Sequence, residues 1–271
     1  MLFRGYIDES YGPKQNVFAL SCLLAKESNW LEFQRKWRLH LAAKNRELKK
    51  AGRPPISRYH ASDCSGRRKE FEGWSRDERD QFVCGLFQIF RQINTFTVAY
   101  DVRIDDVCAV FPEYAKDRLE ATYFWLTTFM LIQIGKDIDG TPRNGSAIRF
   151  TLFHDRTAGK GKERGKYDPT ILEAFNRLIN DKTFSHREKF TTIEPLGWED
   201  CVGLQPADLV AFECYKQAEF RLHEEGSRRS FEALLNMKTF GIHSKTVNIE
   251  ALKKLRNIVN AARERAKRTR S

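Results

Sequence analysis

Apolar and polar positions along this chain fall into short period-two or continuous runs separated by longer stretches of helical period. Leu2 to Ser10, the turn signal Tyr11-Gly12-Pro13, and the apolar run Asn16 to Ala25 predict a β-hairpin. Trp30, Phe33, Trp37 and Leu41 then recur at three- and four-residue intervals, with Arg35, Lys36, Arg38, Lys44 and Arg46 around the remaining surface. That spacing predicts an amphipathic basic helix ended by Gly52-Arg53-Pro54-Pro55. A second helix is predicted from about Asp77 to Gln92. The period then changes, because Phe96, Val98, Tyr100 and Val102 alternate with Thr97, Ala99, Asp101 and Arg103 as in a strand. Pro112 opens a long predicted helix carrying Leu119, Tyr123, Leu126 and Met130 inward, and Gly140 to Gly145 reads as a loop before the strand Ile148 to His154. A helix from Pro169 to Asn180, a weaker strand over Phe190 to Ile193, a helix beginning at Gln205-Pro206 and a last helix from Asn248 complete the pattern.

Three early strands able to form a meander, followed by strands alternating with helices, predict an α/β fold in which helices flank a mixed sheet. One core suffices: residues 1–221, with a helical insertion over about 29–80, followed by a C-terminal helical appendage with a basic tail over 222–271. At 271 residues and 41% hydrophobic the chain can bury such a core, and Gly 16, Pro 8 and 12% aromatic exclude collagen-like, mucin-like and wholly disordered classes. The most apolar run, Tyr123 to Ile134, is short of the roughly 20 residues of a membrane span and reads as a buried helix. Arg4, Asp8 and Glu9 stand where a secretory signal needs apolar residues, so a cytoplasmic protein is expected. The six cysteines form no C-x-x-C pair, which argues against a zinc ribbon or a disulfide scaffold. Charge changes the picture most. Lys and Arg number 47 against 36 Asp and Glu, and the net +11 favours a polyanionic partner such as nucleic acid.

Three carboxylates fall at element ends. Asp8 ends the first strand, Asp155 follows the strand Ile148 to His154, and Asp208 sits in the first turn of the helix after Gln205-Pro206. On neighbouring central strands and one helix start, they can converge at a single sheet edge. There they repel one another unless a hard divalent cation is present. Each also has a plainer reading, a first-turn acid on the helix dipole for Asp208 and turn caps for Asp8 and Asp155. Strand alternation sends Asp8 and Glu9 to opposite faces, and likewise His154 and Asp155, leaving one direct ligand in each pair.

The run Tyr6-Ile7-Asp8-Glu9-Ser10, the pair His154-Asp155 after an apolar strand, and Gly203-Leu204-Gln205-Pro206-Ala207-Asp208 opening a late helix resemble the family called domain of unknown function 3800. The Leu-Gln-x-Ala-Asp signature is the most specific piece, and the resemblance covers roughly Leu2 to Tyr215. It implies an RNase H-like mixed sheet of about five strands with acidic residues on its central strands, Asp8, Asp155 and Asp208 holding Mg²⁺ or Mn²⁺. RNase H-like nucleases usually add a carboxylate from the helix between the third and fourth strands. Glu113, Asp117 and Glu120 are expected on one face of that helix, and Glu120 is the candidate nearest the apolar segment. Gln205, beside Asp208, would orient a reacting group or cap the helix. Association with mobile elements and bacterial defence is also implied.

The resemblance implies a metal-dependent nuclease, or a related phosphoryl-transfer enzyme, working by in-line attack with two ions. The alternative is a catalytically silent RNase H-like module that binds nucleic acid or a protein. Nucleic-acid contacts are expected from the first basic helix, including Arg35 and Lys36, from the loop bearing Lys160, Lys162, Arg164 and Lys166, and from the tail Lys253 to Arg270, each of which is otherwise a solvated face. The loop lacks P-loop glycine spacing and has Tyr167 where Ser or Thr is required, so it is no ATP site. His60, His154 and His186 are candidate proton shuttles or simply structural histidines.

Overall fold

The computed structural model describes residues 1–12, 14–92, 94–114, 117–139, 148–156, 165–198, 201–224, 226–237 and 240–268. Six strands make one mixed sheet: β1 (Leu2–Gly12), β2 (Val17–Lys26), β3 (Thr95–Arg103), β4 (Arg149–Asp155), β5 (Phe190–Leu196) and β6 (Phe240–Val247), in the spatial order β5-β4-β1-β2-β3-β6. The first three form the antiparallel meander, β4 and β5 continue parallel to β1, and β6 lies parallel to β3. The chain is therefore α/β, with helices on both faces.

Strand alternation assigns those faces. On β2, Val17, Ala19, Leu23 and Ala25 enter one core, while Phe18, Leu20, Cys22 and Leu24 enter the other, which is why β2 reads as continuously apolar. The first core takes α1 (Glu27–Lys50), α3 (Arg76–Phe90), α7 (Leu204–Leu222) and α8 (Arg229–Leu235); the short α2 (Ala61–Gly66) also lies here. The second takes α4 (Ile104–Val110), α5 (Arg118–Asp139), α6 (Asp168–Asn180) and α9 (Ile249–Arg268).

The insertion is part of the first core. Helix α1 buries Trp30, Phe33, Trp37, Leu41 and Leu48. At about 1.5–3 kcal/mol for each buried large apolar side chain, that stripe alone rivals the net stability of a typical domain. Trp30 stacks edge-on against Tyr6 of β1 at 4.6 Å, and its indole N–H donates to the Arg4 carbonyl at 2.8 Å.

Three expectations are corrected. Pro112 does not open the long helix. It begins a 3-10 turn, Pro112–Tyr114, after the separate helix α4, and α5 starts at Arg118, where Asp117 Oδ1 accepts from the amides of Leu119 and Glu120 at 3.1 Å each. The cap was hidden inside a longer helical pattern, so Glu113, Asp117 and Glu120 do not share a helix face. Among the described residues the sheet has six strands, not about five. The extra one, β6, is an edge strand that mixes Gly241, His243, Ser244 and Lys245 with few apolar residues, so it gives little alternation signal. The region 222–271 is thus not wholly helical, and α9 docks through Leu252 and Leu255 into the second core. No described helix is long and apolar enough to cross a membrane, and all six cysteines are free thiols.

Candidate functional site

β4 ends at Asp155, whereas β1 runs on to Gly12, so Asp8 lies within its strand and does not end it as the sequence suggested; Ile7 opposite His154 is the last pair between the two strands. Asp8 and Asp155 are the next residue on each strand. Tyr6 and Phe153, two positions back, face the first core, so both carboxylates point to the α7 side. Helix α7 is held against this edge from two directions. Ser21, the cross-strand partner of Asp8, donates to the Ala207 carbonyl at 2.9 Å. Gly203, which precedes α7, leaves no room for a side chain, since a Cβ there would meet the Tyr6 ring at 2.5 Å. Asp208 then faces a cleft of about 100 Å³ that Asp8 and Asp155 also line.

The electrostatics of the acids follow from this placement. Asp8 is 8% exposed, and its pKa is driven well above the carboxylate range by burial first, then by the charges of Asp155, Asp208 and Glu9; only the Glu9 amide, donating at 2.8 Å, opposes them. Asp208 is also raised by burial, but His60, the Ala61 amide donating at 2.7 Å, and Arg58 offset part of it.

The insertion supplies one wall of the cleft. Arg58, Tyr59 and His60 line it, and the segment is tied to α7 by two acceptors, Gln205 and Asp208. Gln205 Oε1 accepts from the Trp37 indole at 2.9 Å and from the Tyr59 amide at 3.0 Å. Its carbonyl is thereby engaged in joining α1, the wall and α7, not in capping the helix. The Arg58 guanidinium lies 3.9 Å from the centre of the Trp198 ring, which lines the cleft from beyond β5.

The fourth carboxylate at the cleft is Glu9, not Glu120. Glu120 is exposed and its Oε1 meets the Thr170 hydroxyl at 3.4 Å, away from the cleft. Alternation of Asp8 and Glu9 holds, because Glu9 Oε1 accepts from the Tyr123 hydroxyl of α5 at 2.7 Å. Beyond Ile7, however, β1 has no β4 partner, and Glu9 lines the cleft too. His154 turns to the other face, 2% exposed, with Nδ1 2.9 Å from the Asp155 carbonyl; that nitrogen must carry the ring proton, and burial lowers the pKa, so the ring is neutral.

The predicted basic contacts fare differently. Arg35 and Lys36 lie on the outer side of α1, Lys36 pairing with Glu32 at 2.7 Å, and neither lines the cleft. Lys166 donates to Asp117 at 2.7 Å and to the Tyr167 hydroxyl at 3.1 Å, which raises its pKa and commits its charge. Lys160, Lys162 and Arg164 lie outside the described residues. In the tail, Arg256 bonds the Val110 carbonyl at the end of α4.

Oxygen-only, desolvated and mutually repelling, the acids suit a hard cation in donor chemistry. As placed, they do not close into a cage: among the described residues no group of three or more His, Cys, Asp or Glu side chains stands ready to hold a metal ion. Comparison with protein-family models, with curated proteins and with solved structures finds no match to this chain.

Proposed function

We propose that the chain is an RNase H-like, metal-dependent nuclease or a related phosphoryl-transfer enzyme acting on the phosphodiester bonds of nucleic acid. The observation that carries this reading is the repulsion among Asp8, Asp155 and Asp208 in one cleft, which burial intensifies and the protein leaves largely uncompensated at Asp8. The five strands other than β6, with two of the acids side by side where β4 ends against β1, support the architecture. Held by Asp8, Asp155 and Asp208, a Mg²⁺ or Mn²⁺ ion would supply the missing positive charge and make a neighbouring water acidic enough to attack phosphorus. Arg58, which lines the same cleft, would contact the non-bridging phosphate oxygens. Gln205 acts through the wall it anchors, as a positioning residue.

The test is cleavage of labelled RNA and DNA, single and double stranded, by the full chain with Mg²⁺ or Mn²⁺. Cleavage should vanish in EDTA and in Asp8→Asn and Asp155→Asn. Correctly folded protein that cuts none of these substrates with either ion refutes the proposal. The absence of a closed ligand group among the described residues favours a second reading, a silent nucleic-acid- or protein-binding module. That reading requires salt-sensitive nucleic-acid or partner association that survives both substitutions.

A further inference from the structure

A second cleft, of about 190 Å³, adjoins the carboxylate cleft and shares Arg58, His60 and Trp198 with it. That volume is several times the roughly 30 Å³ share of one liquid water, so it accommodates more than a solvent molecule. Its charges cancel. Arg58 and Lys69 are matched by Asp63 and Glu70, with Lys69 bonded to Asp63 at 2.9 Å. A phosphate would gain little from such a lining. A planar uncharged group with polar edges would gain more, because Trp198 presents aromatic surface and the carboxylates of Asp63 and Glu70 present acceptors. Glu70 is already oriented, accepting from the Ser57 amide at 2.9 Å and the Ser57 hydroxyl at 2.6 Å. The chain holds this floor in a costly backbone: Arg67 and Lys69, both non-glycine, have φ of 50° and 54°.

We propose that this second cleft takes one unpaired nucleobase, stacked on the Arg58–Trp198 pair, beside a phosphodiester lying over the carboxylates. The substrate class is then single-stranded nucleic acid, because a base inside a duplex is already stacked and cannot enter. This inference rests on the nucleic-acid reading of the neighbouring cleft. Base stacking on an aromatic residue tolerates any sequence, so the site selects strandedness and not base identity.

The experiment is binding in EDTA, where cleavage is silent, of short fluorescein-labelled single strands of RNA and DNA and the matching duplexes to the full chain. Single strands should bind more tightly than duplexes and quench tryptophan fluorescence. Trp198→Ala should weaken single-strand binding at least about fivefold and leave duplex binding unchanged. Trp198→Phe keeps an aromatic surface, so it should retain most of the affinity while losing the quench, a result independent of any folding defect in the alanine variant. Duplex binding as tight as single-strand binding, or an undiminished quench in Trp198→Phe, overturns the subsite. Cleavage by the wild type together with either of those results removes the subsite and leaves the nuclease standing. Trp198-dependent single-strand binding without cleavage in Mg²⁺ or Mn²⁺ does the reverse.

Discussion

Replacing Gln205 by alanine removes the acceptor shared by two buried donors. Trp37 is 0% exposed, Tyr59 2% and Gln205 itself 5%, so water has no easy route to either N–H once the amide is gone. An orphaned buried donor costs about 1–3 kcal/mol, and two of them cost on the order of 2–6 kcal/mol, a large share of a typical reserve of about 5–15 kcal/mol. At about 2–4 °C per kcal/mol for chains of comparable size, the melting midpoint should fall by at least about 4 °C. Trp37→Phe should cost less, near 1 kcal/mol, because the Gln205 oxygen keeps the Tyr59 amide. The two changes share one bond, so the double variant should be less destabilised than their sum by at least about 0.5 kcal/mol. Thermal melts followed by circular dichroism give all three values, and hydrogen exchange at the Tyr59 and Ala61 amides should quicken in Gln205→Ala. A Gln205→Ala midpoint within 2 °C of wild type, or strict additivity with Trp37→Phe, would show that the wall does not hang on this amide.

Asp8→Asn should stabilise the metal-free protein at neutral pH while removing activity. Asp8 is protonated more readily folded than unfolded, so its contribution is intact below about pH 4 and is lost as pH rises toward its elevated folded value. The midpoint difference between variant and wild type should therefore widen from pH 4 to pH 7, a comparison in which the oppositely shifted Asp63 and Glu78 cancel; no widening contradicts the charge assignment. Mn²⁺ at about a hundred times its Kd should stabilise the wild type by about 2.7 kcal/mol, and the shift should disappear in Asp155→Asn; an equal shift in both places the ion elsewhere. Gly203→Ala should cost about 1–3 kcal/mol from overpacking, since the new Cβ meets the Tyr6 ring at 2.5 Å and Gly203 has an ordinary φ of −62°; an unchanged midpoint would mean that α7 can shift freely from β1.

What was readable from the sequence followed from periodicity. The continuous apolar run of β2, the aromatic stripe of α1 and the acids on β1, at the end of β4 and at the start of α7 are local patterns whose spatial meaning depends only on strand adjacency, although β1 runs past Asp8 to Gly12. The wall residues carry no such pattern. Arg58 follows a Pro-Pro turn and Trp198 follows the end of β5, and they meet across 140 positions because the Tyr59 and Ala61 amides bond to α7. Alternation gives no sign of the access of Glu9, because it fixes the face of each residue along β1 but not where the neighbouring β4 stops. Glu120 loses its place because the long helix starts at Arg118, behind the Asp117 cap, and not at Pro112.

The protein's own compensation of the acid cluster is lopsided, and the lopsidedness separates the two readings of function. Asp208 receives the Ala61 N–H and faces His60 and Arg58, all from the insertion. Asp8 receives one amide, from its own neighbour, and the charges that act on it, those of Asp155, Asp208 and Glu9, are all negative. A phosphodiester entering here meets uncompensated negative charge on the β1 and β4 side. Divalent ions should therefore strengthen nucleic-acid binding if the strand lies over the carboxylates, because the ion supplies that charge. They should weaken it if binding runs through basic surfaces elsewhere on this +11 chain, since added ions only screen such contacts. Titrating a labelled single strand against wild type in Ca²⁺ and in EDTA, at matched ionic strength, reads the sign directly. Tighter binding in Ca²⁺, lost in Asp8→Asn, is the expected outcome; weaker binding in Ca²⁺ refutes the placement of substrate over these acids.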